Sequence, residues 1–156
     1  MSGRRGTGAM AGWVFKPVAQ MFDTNATNLK RWRRNVAGVA KTALTKRQAE
    51  GLAALDGPLH MSVAFRFPMP KSRPARDFKR GWKWKDTSPD IDKLVRAIGD
   101  ALDSDAKLIV NDARICSLVC SQVETVNEHD VGCTTQVYTL DHEGEPAGVR
   151  PLHPYR

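Results

Sequence analysis

Along LHMSVAFRF, residues 59–67, apolar side chains fall on every second position: Leu59, Met61, Val63, Phe65 and Phe67. A period of two predicts a strand with one face in the core, ended by Pro68 and Pro70. Trp32, Val36, Val39, Ala40 and Ala43 instead recur at helical spacing. They predict a helix from about Leu29 to Leu44, with Asn28 the last of several capping candidates in FDTNATN. Residues 46–55 read as a further helical turn or two, stopped by Asp56-Gly57-Pro58. Ile91, Leu94, Val95, Ile98 and Leu102 mark a second helix, with Ser88 as N-cap and Pro89 as first helical residue. Extended segments are predicted at 13–18 (broken at Pro17), at KLIV 107–110, within 113–126 and at CTTQVYTL 133–140. A turn is expected at Asn111-Asp112 and a loop at 127–132. KSRPARDFKRGWKWK, 71–85, has no apolar period and reads as a loop or an irregular hairpin. Strands with two main helices in this order suggest an α+β fold in one small domain, 13–140. A flexible arm precedes it at 1–12, and an irregular tail follows at 141–156.

Charge adds the next constraint. The 156 residues carry a formal net charge of +7, from 24 Lys and Arg against 17 Asp and Glu. Residues 1–85 hold 18 basic and 4 acidic side chains, whereas 86–156 hold 6 basic and 13 acidic. Such asymmetry fits a polyanionic partner, nucleic acid ahead of membrane, and equally a solvated basic surface. The 71–85 stretch sets Trp82 and Trp84 between lysines, a pattern suited to base stacking beside phosphate contacts. A core-plugging tryptophan in a soluble loop has the same pattern. The predicted first helix carries Lys30, Arg31, Arg33, Arg34 and Lys41 with no acid among them. Like charges at such spacing give an isolated helix nothing, so the excess points to a role outside the fold. Cys116, Cys120 and Cys133 form no CxxC pair and fit buried free thiols in a reducing compartment better than zinc ligands. No apolar run approaches the roughly 18 residues of a membrane span, and no secretory signal opens the chain. The expected setting is cytoplasmic.

Against this basic background, Asp90 and Asp92 crowd the start of the second helix. The helix dipole favours carboxylates there, which is sufficient as a structural account. A turn at Asp112 that returns to the same helix end offers a second account. Three converging carboxylates repel unless a hard divalent cation neutralises them, and Mg²⁺ takes such oxygens together with water and substrate phosphate. Two regular helical residues at 90 and 92 would point about 200° apart. The second account therefore works better with Asp90 at or before the cap.

PDIDKLVRAIGDAL followed by VNDARI resembles the signature of the RusA-type crossover-junction endodeoxyribonucleases, the Holliday junction resolvases of bacteria and their prophages. The resemblance is specific over about 88–115 and extends more weakly to most of the chain. It implies a mixed β-sheet packed with two main helices, a homodimer, and Mg²⁺ (with Mn²⁺ as substitute) for cutting four-way DNA junctions. By position, Asp90 and Asp92 match the family's paired aspartates and Asp112 its third metal ligand. Arg96 matches a catalytic lysine. DNA contacts are expected from Lys71, Arg73, Arg76, Lys79, Arg80, Lys83, Lys85 and Lys93, and from Arg31 and Arg34. The chain departs from the pattern at Asn111, where the family has an acid, at Lys93 and Arg96, before Trp13 and after about Asp141. A non-catalytic nucleic-acid-binding protein that kept the fold is the alternative, and a basic structural protein with an ordinary acidic helix start is a third.

Overall fold

The computed structural model describes residues 13–15 and 26–140. The expected arm at 1–12 and tail at 141–156 lie outside them. A five-stranded mixed sheet has the order β1-β5-β2-β4-β3. Its strands are β1 (Trp13–Phe15), β2 (Leu59–Pro68), β3 (Trp82–Trp84), β4 (Ile115–Thr125) and β5 (Gly132–Thr139). The central β2 runs parallel to β4 and antiparallel to β5. The helices are α1 (Ala26–Ala49), α2 (Ala75–Arg80) and α3 (Ile91–Asp100). The expected α+β class, in one small domain, is what the chain adopts.

The period-two strand is β2, and Leu59, Met61, Val63, Phe65 and Phe67 are all buried in one core with α1 and α3. From α1 come Trp32, Val36, Ala40 and Ala43, with the Trp32 ring tilted 6.0 Å from Phe65. From α3 come Leu94 and Ile98, followed by Leu102. Burying each large apolar side chain contributes about 1.5–3 kcal/mol. The alternate β2 positions, His60, Ser62, Ala64 and Arg66, are buried too. The polar ones are paired there: His60 bonds Ser62 and Ser117, while Arg66 donates to the Asp130 carbonyl and the Thr134 hydroxyl.

Several boundaries differ from the sequence expectations. α1 begins at Ala26, so Asn28 is helical rather than a cap, and it runs unbroken to Ala49. The Thr42 and Thr45 hydroxyls donate back to the Gly38 and Lys41 carbonyls within it. Segment 71–85 is not a loop. α2 is closed by Gly81 in the left-handed conformation at φ 87°, which only glycine adopts freely, and β3 then pairs with β4 at residues 123–125. Its apolar period is absent because a six-residue helix inserts only Asp77. The N-cap of α3 is Asp90, not Ser88. After α3 the chain widens into a π-helical turn, Ala101–Asp105, closed by the Ala106 N–H on the Ala101 carbonyl. KLIV is not a strand. The Leu108 and Ile109 N–H groups both donate to Leu102 at this helix end, which leaves one isolated bridge between Leu55 and Ile109. Cys133 is buried, its thiol pushed up to about 12, but Cys116 is exposed against expectation. Among the described residues no helix is long and apolar enough to cross a membrane.

Candidate active site

Asp90 has extended backbone, φ −69° and ψ 130°, and its carbonyl accepts the Leu94 N–H. It therefore stands just outside regular helix. Its carboxylate makes no cap and pairs with Lys93 Nζ at 3.3 Å, both side chains well exposed. Asp92 lies in the first turn of α3, exposed, where the positive end of the helix dipole favours it. Arg96 follows one turn later and is also exposed. One turn further is Gly99, buried, where a Cβ would lie 3.9 Å from the Asp112 Cβ. The absence of a side chain lets the Asp112 segment lie against the helix.

Asp112 opens a 3-10 turn, Asp112–Arg114. Two carboxylate or amide oxygens hold it: Asn111 Oδ1 accepts the Ala113 N–H at 2.8 Å, and Asp103 Oδ2 accepts the Asp112 N–H at 3.0 Å. Asn111, one of the departures noted above, thus has a local task as the cap of this turn. Asp92, Gly99 and Asp103 share one stripe of the helix by their spacing of seven and eleven residues. That spacing was legible in the sequence, yet neither Gly99 nor Asp103 was singled out there.

The same geometry sets the spacing of the three carboxylates expected at this site. Gly99 is seven residues beyond Asp92, about 10 Å along the axis. Asp112 stands over Gly99, and Asp90 is turned to Lys93. Among the described residues no three His, Cys, Asp or Glu side chains are grouped to hold one metal ion. The donors do not fit an all-protein cage. They do fit the way Mg²⁺ is commonly held, by one or two exposed carboxylates completed by water and substrate phosphate.

The cationic side chains divide into two sets. Lys71, Arg76, Lys79 and Arg80 are exposed around α2, as are Arg31 and Arg34 on α1. Lys83 pairs with Asp86 at 3.0 Å, which holds that carboxyl below its usual range. Arg73 and Lys85 are turned inward. Arg73 grips the fully buried Glu124 with two bonds of 2.8 and 2.7 Å, and Lys85 Nζ lies 3.8 Å from the same carboxylate. Burial lowers the Lys85 pKa, and Glu124 opposes that shift. Sequence reasoning missed Glu124. An acid in a β-rich stretch gave no sign that it would anchor two of the expected DNA contacts. Trp82 is half-buried and meets the exposed Trp84 edge-on, ring centroids 5.4 Å apart. On α1, Arg33 is also engaged, bonding Asp105 at 2.6 and 2.9 Å and Asp100 at 3.3 Å. The Asp105 bond raises the Arg33 pKa and lowers that of Asp105.

A search of curated proteins gives no significant match. The family model for Endodeoxyribonuclease RusA matches residues 14–134. That span runs from β1 into β5 and takes in each element carrying Asp90, Asp92, Arg96 and Asp112, so the chain belongs to the RusA endodeoxyribonuclease family.

Proposed function

We propose that this protein is a Mg²⁺-dependent, structure-selective endonuclease that cuts four-way DNA junctions. The observation that carries the reading is the RusA family match across an α3 whose first two turns expose Asp92 and Arg96. Asp90 and Asp92 would hold the ion, with Asp112 approaching from the Gly99 side. When bound, it supplies water activation and charge stabilisation at phosphorus.

The chain's own groups do the rest. Arg96, one turn from Asp92, neutralises charge that develops on the non-bridging phosphate oxygens. As a planar guanidinium it can bind two of them in a fixed bidentate geometry that a lysine's point charge does not impose. Lys93 restrains the Asp90 carboxylate while no substrate is present. Lys71, Arg76, Lys79 and Arg80 meet phosphates of a junction arm, with Lys83 beside them, and the exposed Trp84 offers a face for an unstacked base. Arg73 and Lys85 act indirectly, by tying this segment to Glu124.

A homodimer matches the near-twofold symmetry of a four-way junction. What supports it is the edge of β4. β3 covers only residues 123–125, and Ile115 to Ser121 have no outer strand partner among the described residues. That uncharged edge exposes Leu118 and Val119. A bare apolar edge invites pairing, and antiparallel pairing with its own copy would satisfy both edges alike.

The test is incubation of the protein with a labelled four-way junction and with linear duplex of the same sequence, in Mg²⁺ or Mn²⁺. Paired nicks in opposed junction strands are expected, with duplex left whole. The dispersed carboxylates and Asn111 favour a second reading, a non-catalytic binder of branched DNA. An intact junction, bound by folded protein in both metals, would establish that reading and reject the first.

A further inference from the structure

Beside the carboxylate face of α3 runs a groove that the proposed chemistry uses only at its α3 wall, through Lys93 and Arg96. Its first stretch, of about 320 Å³, lies between Lys30 and Arg33 of α1 and Lys93 and Arg96 of α3. A second stretch of about 490 Å³ shares Lys30 and Arg33 and continues along α1 past Arg34, Gly38 and Lys41. The groove contains two carboxylates, Asp100 and Asp105, and Arg33 already bonds both. Lys30, Arg34, Lys41 and Arg96 are exposed and form no ion pair among the described residues. Six cations against two carboxylates leave the groove with a net positive charge.

Spacing gives that charge a direction. Lys30, Arg34 and Lys41 are four and eleven residues apart, so they lie along one face of α1 over about 16 Å. Between them is Gly38, exposed, where a Cβ would meet nothing within 4 Å. No packing reason excludes a side chain, and glycine inside a helix carries an entropic cost. A bare helix backbone between cations is suited to close approach by an extended anionic chain.

We propose that this groove is a second DNA subsite, which seats the sugar-phosphate backbone of one strand of a junction arm. Lys30, Arg34 and Lys41 meet successive phosphates, and Gly38 lets the strand lie close to α1. Arg96 stands where the groove reaches α3 and directs the strand to the carboxylates. The assignment rests on branched DNA being the substrate, but not on the protein cutting it.

The experiment is fluorescence anisotropy of the full chain on a labelled four-way junction in EDTA, across a KCl series. Each phosphate contact contributes about 0.9 to the slope of log affinity against log salt. The triple variant Lys30→Ala/Arg34→Ala/Lys41→Ala is expected to flatten that slope by about 2–3 units. Gly38→Leu, which removes no charge and suits a helix better, is expected to keep thermal stability and weaken binding by about tenfold. An unchanged slope in the triple variant, or wild-type affinity in Gly38→Leu, overturns the subsite. Cleavage by wild-type protein is scored in parallel with Mg²⁺. A flattened slope with no wild-type cutting keeps the groove and rejects the endonuclease. Cutting with an unchanged slope rejects the groove and keeps the endonuclease.

Discussion

Glu124→Gln tests how the basic excursion between β2 and α3 is held in place. The Glu124 side chain is 0% exposed and receives Arg73 at 2.7 Å and Lys85 at 3.8 Å. Lys85 Nζ also lies 4.9 Å from the centre of the Phe67 ring. The substitution keeps the shape and leaves two cations without their counter-charge. Removing one partner of a buried pair costs about 3–5 kcal/mol. Arg73 is 24% exposed, so water recovers part of this for its guanidinium, and the lower end, about 3 kcal/mol, is expected. At about 2–4 °C per kcal/mol for a chain of this size, Tm falls by about 6–12 °C. Circular dichroism melts of the single variant and of Glu124→Gln/Arg73→Gln provide the assay. The double variant should lose less than the sum of the singles, because both remove the same contact. Arg73→Gln should keep wild-type junction affinity at a temperature where it is folded. A Tm for Glu124→Gln within about 2 °C of wild type would refute the anchor. So would an Arg73→Gln variant that melts normally but loses junction affinity.

Three further outcomes follow from other parts of the fold. Burial lowers the His60 pKa from its ordinary 6.5, so the native state favours the neutral ring and the unfolded chain takes up more protons. His60 stability is complete above about pH 6.5 and is lost as pH falls below it, and denaturant melts should show a shallower pH slope in His60→Asn. Gly99→Ala makes only ordinary contact with Asp112 and should cut junctions normally, whereas Gly99→Leu displaces Asp112 and should cut about 100-fold more slowly with binding retained. Equal rates for the two would contradict the role given to this contact. Val119→Lys places a charge on the bare edge of β4 and should leave a monomer in sedimentation equilibrium, and a dimer that persists in this variant would move the interface elsewhere.

The elements legible in the sequence were those whose side chains repeat with the backbone. β2 shows its period because its alternate residues are small or polar, although both of its faces proved buried. α3 shows its stripe because Leu94, Ile98 and Leu102 enter one core. α2 and β3 were not legible, since their places are set by Gly81 and by pairing with residues 123–125, far along the chain. KLIV looked like a strand by composition, but its N–H groups were claimed by Leu102. At the site, the residue types at 90, 92, 96 and 112 could be read from the motif, but Ser88-Pro89 looked like the helix start and would have put Asp90 inside the helix rather than at its cap. The distance between Asp92 and Asp112 could not be read there. It depends on where the chain after α3 crosses back, and Gly99 sets that crossing two turns along. The inward turn of Arg73 and Lys85 was hidden for the same reason, because nothing local to them announces Glu124.

The most direct measurement scores binding and cutting of one four-way junction by Asp90→Asn, Asp92→Asn and Asp112→Asn side by side in Mg²⁺. Each variant is expected to bind as wild type does and to leave the junction uncut. Wild-type cutting by Asp92→Asn would contradict the account, because it would take the chemistry away from the exposed first turn of α3.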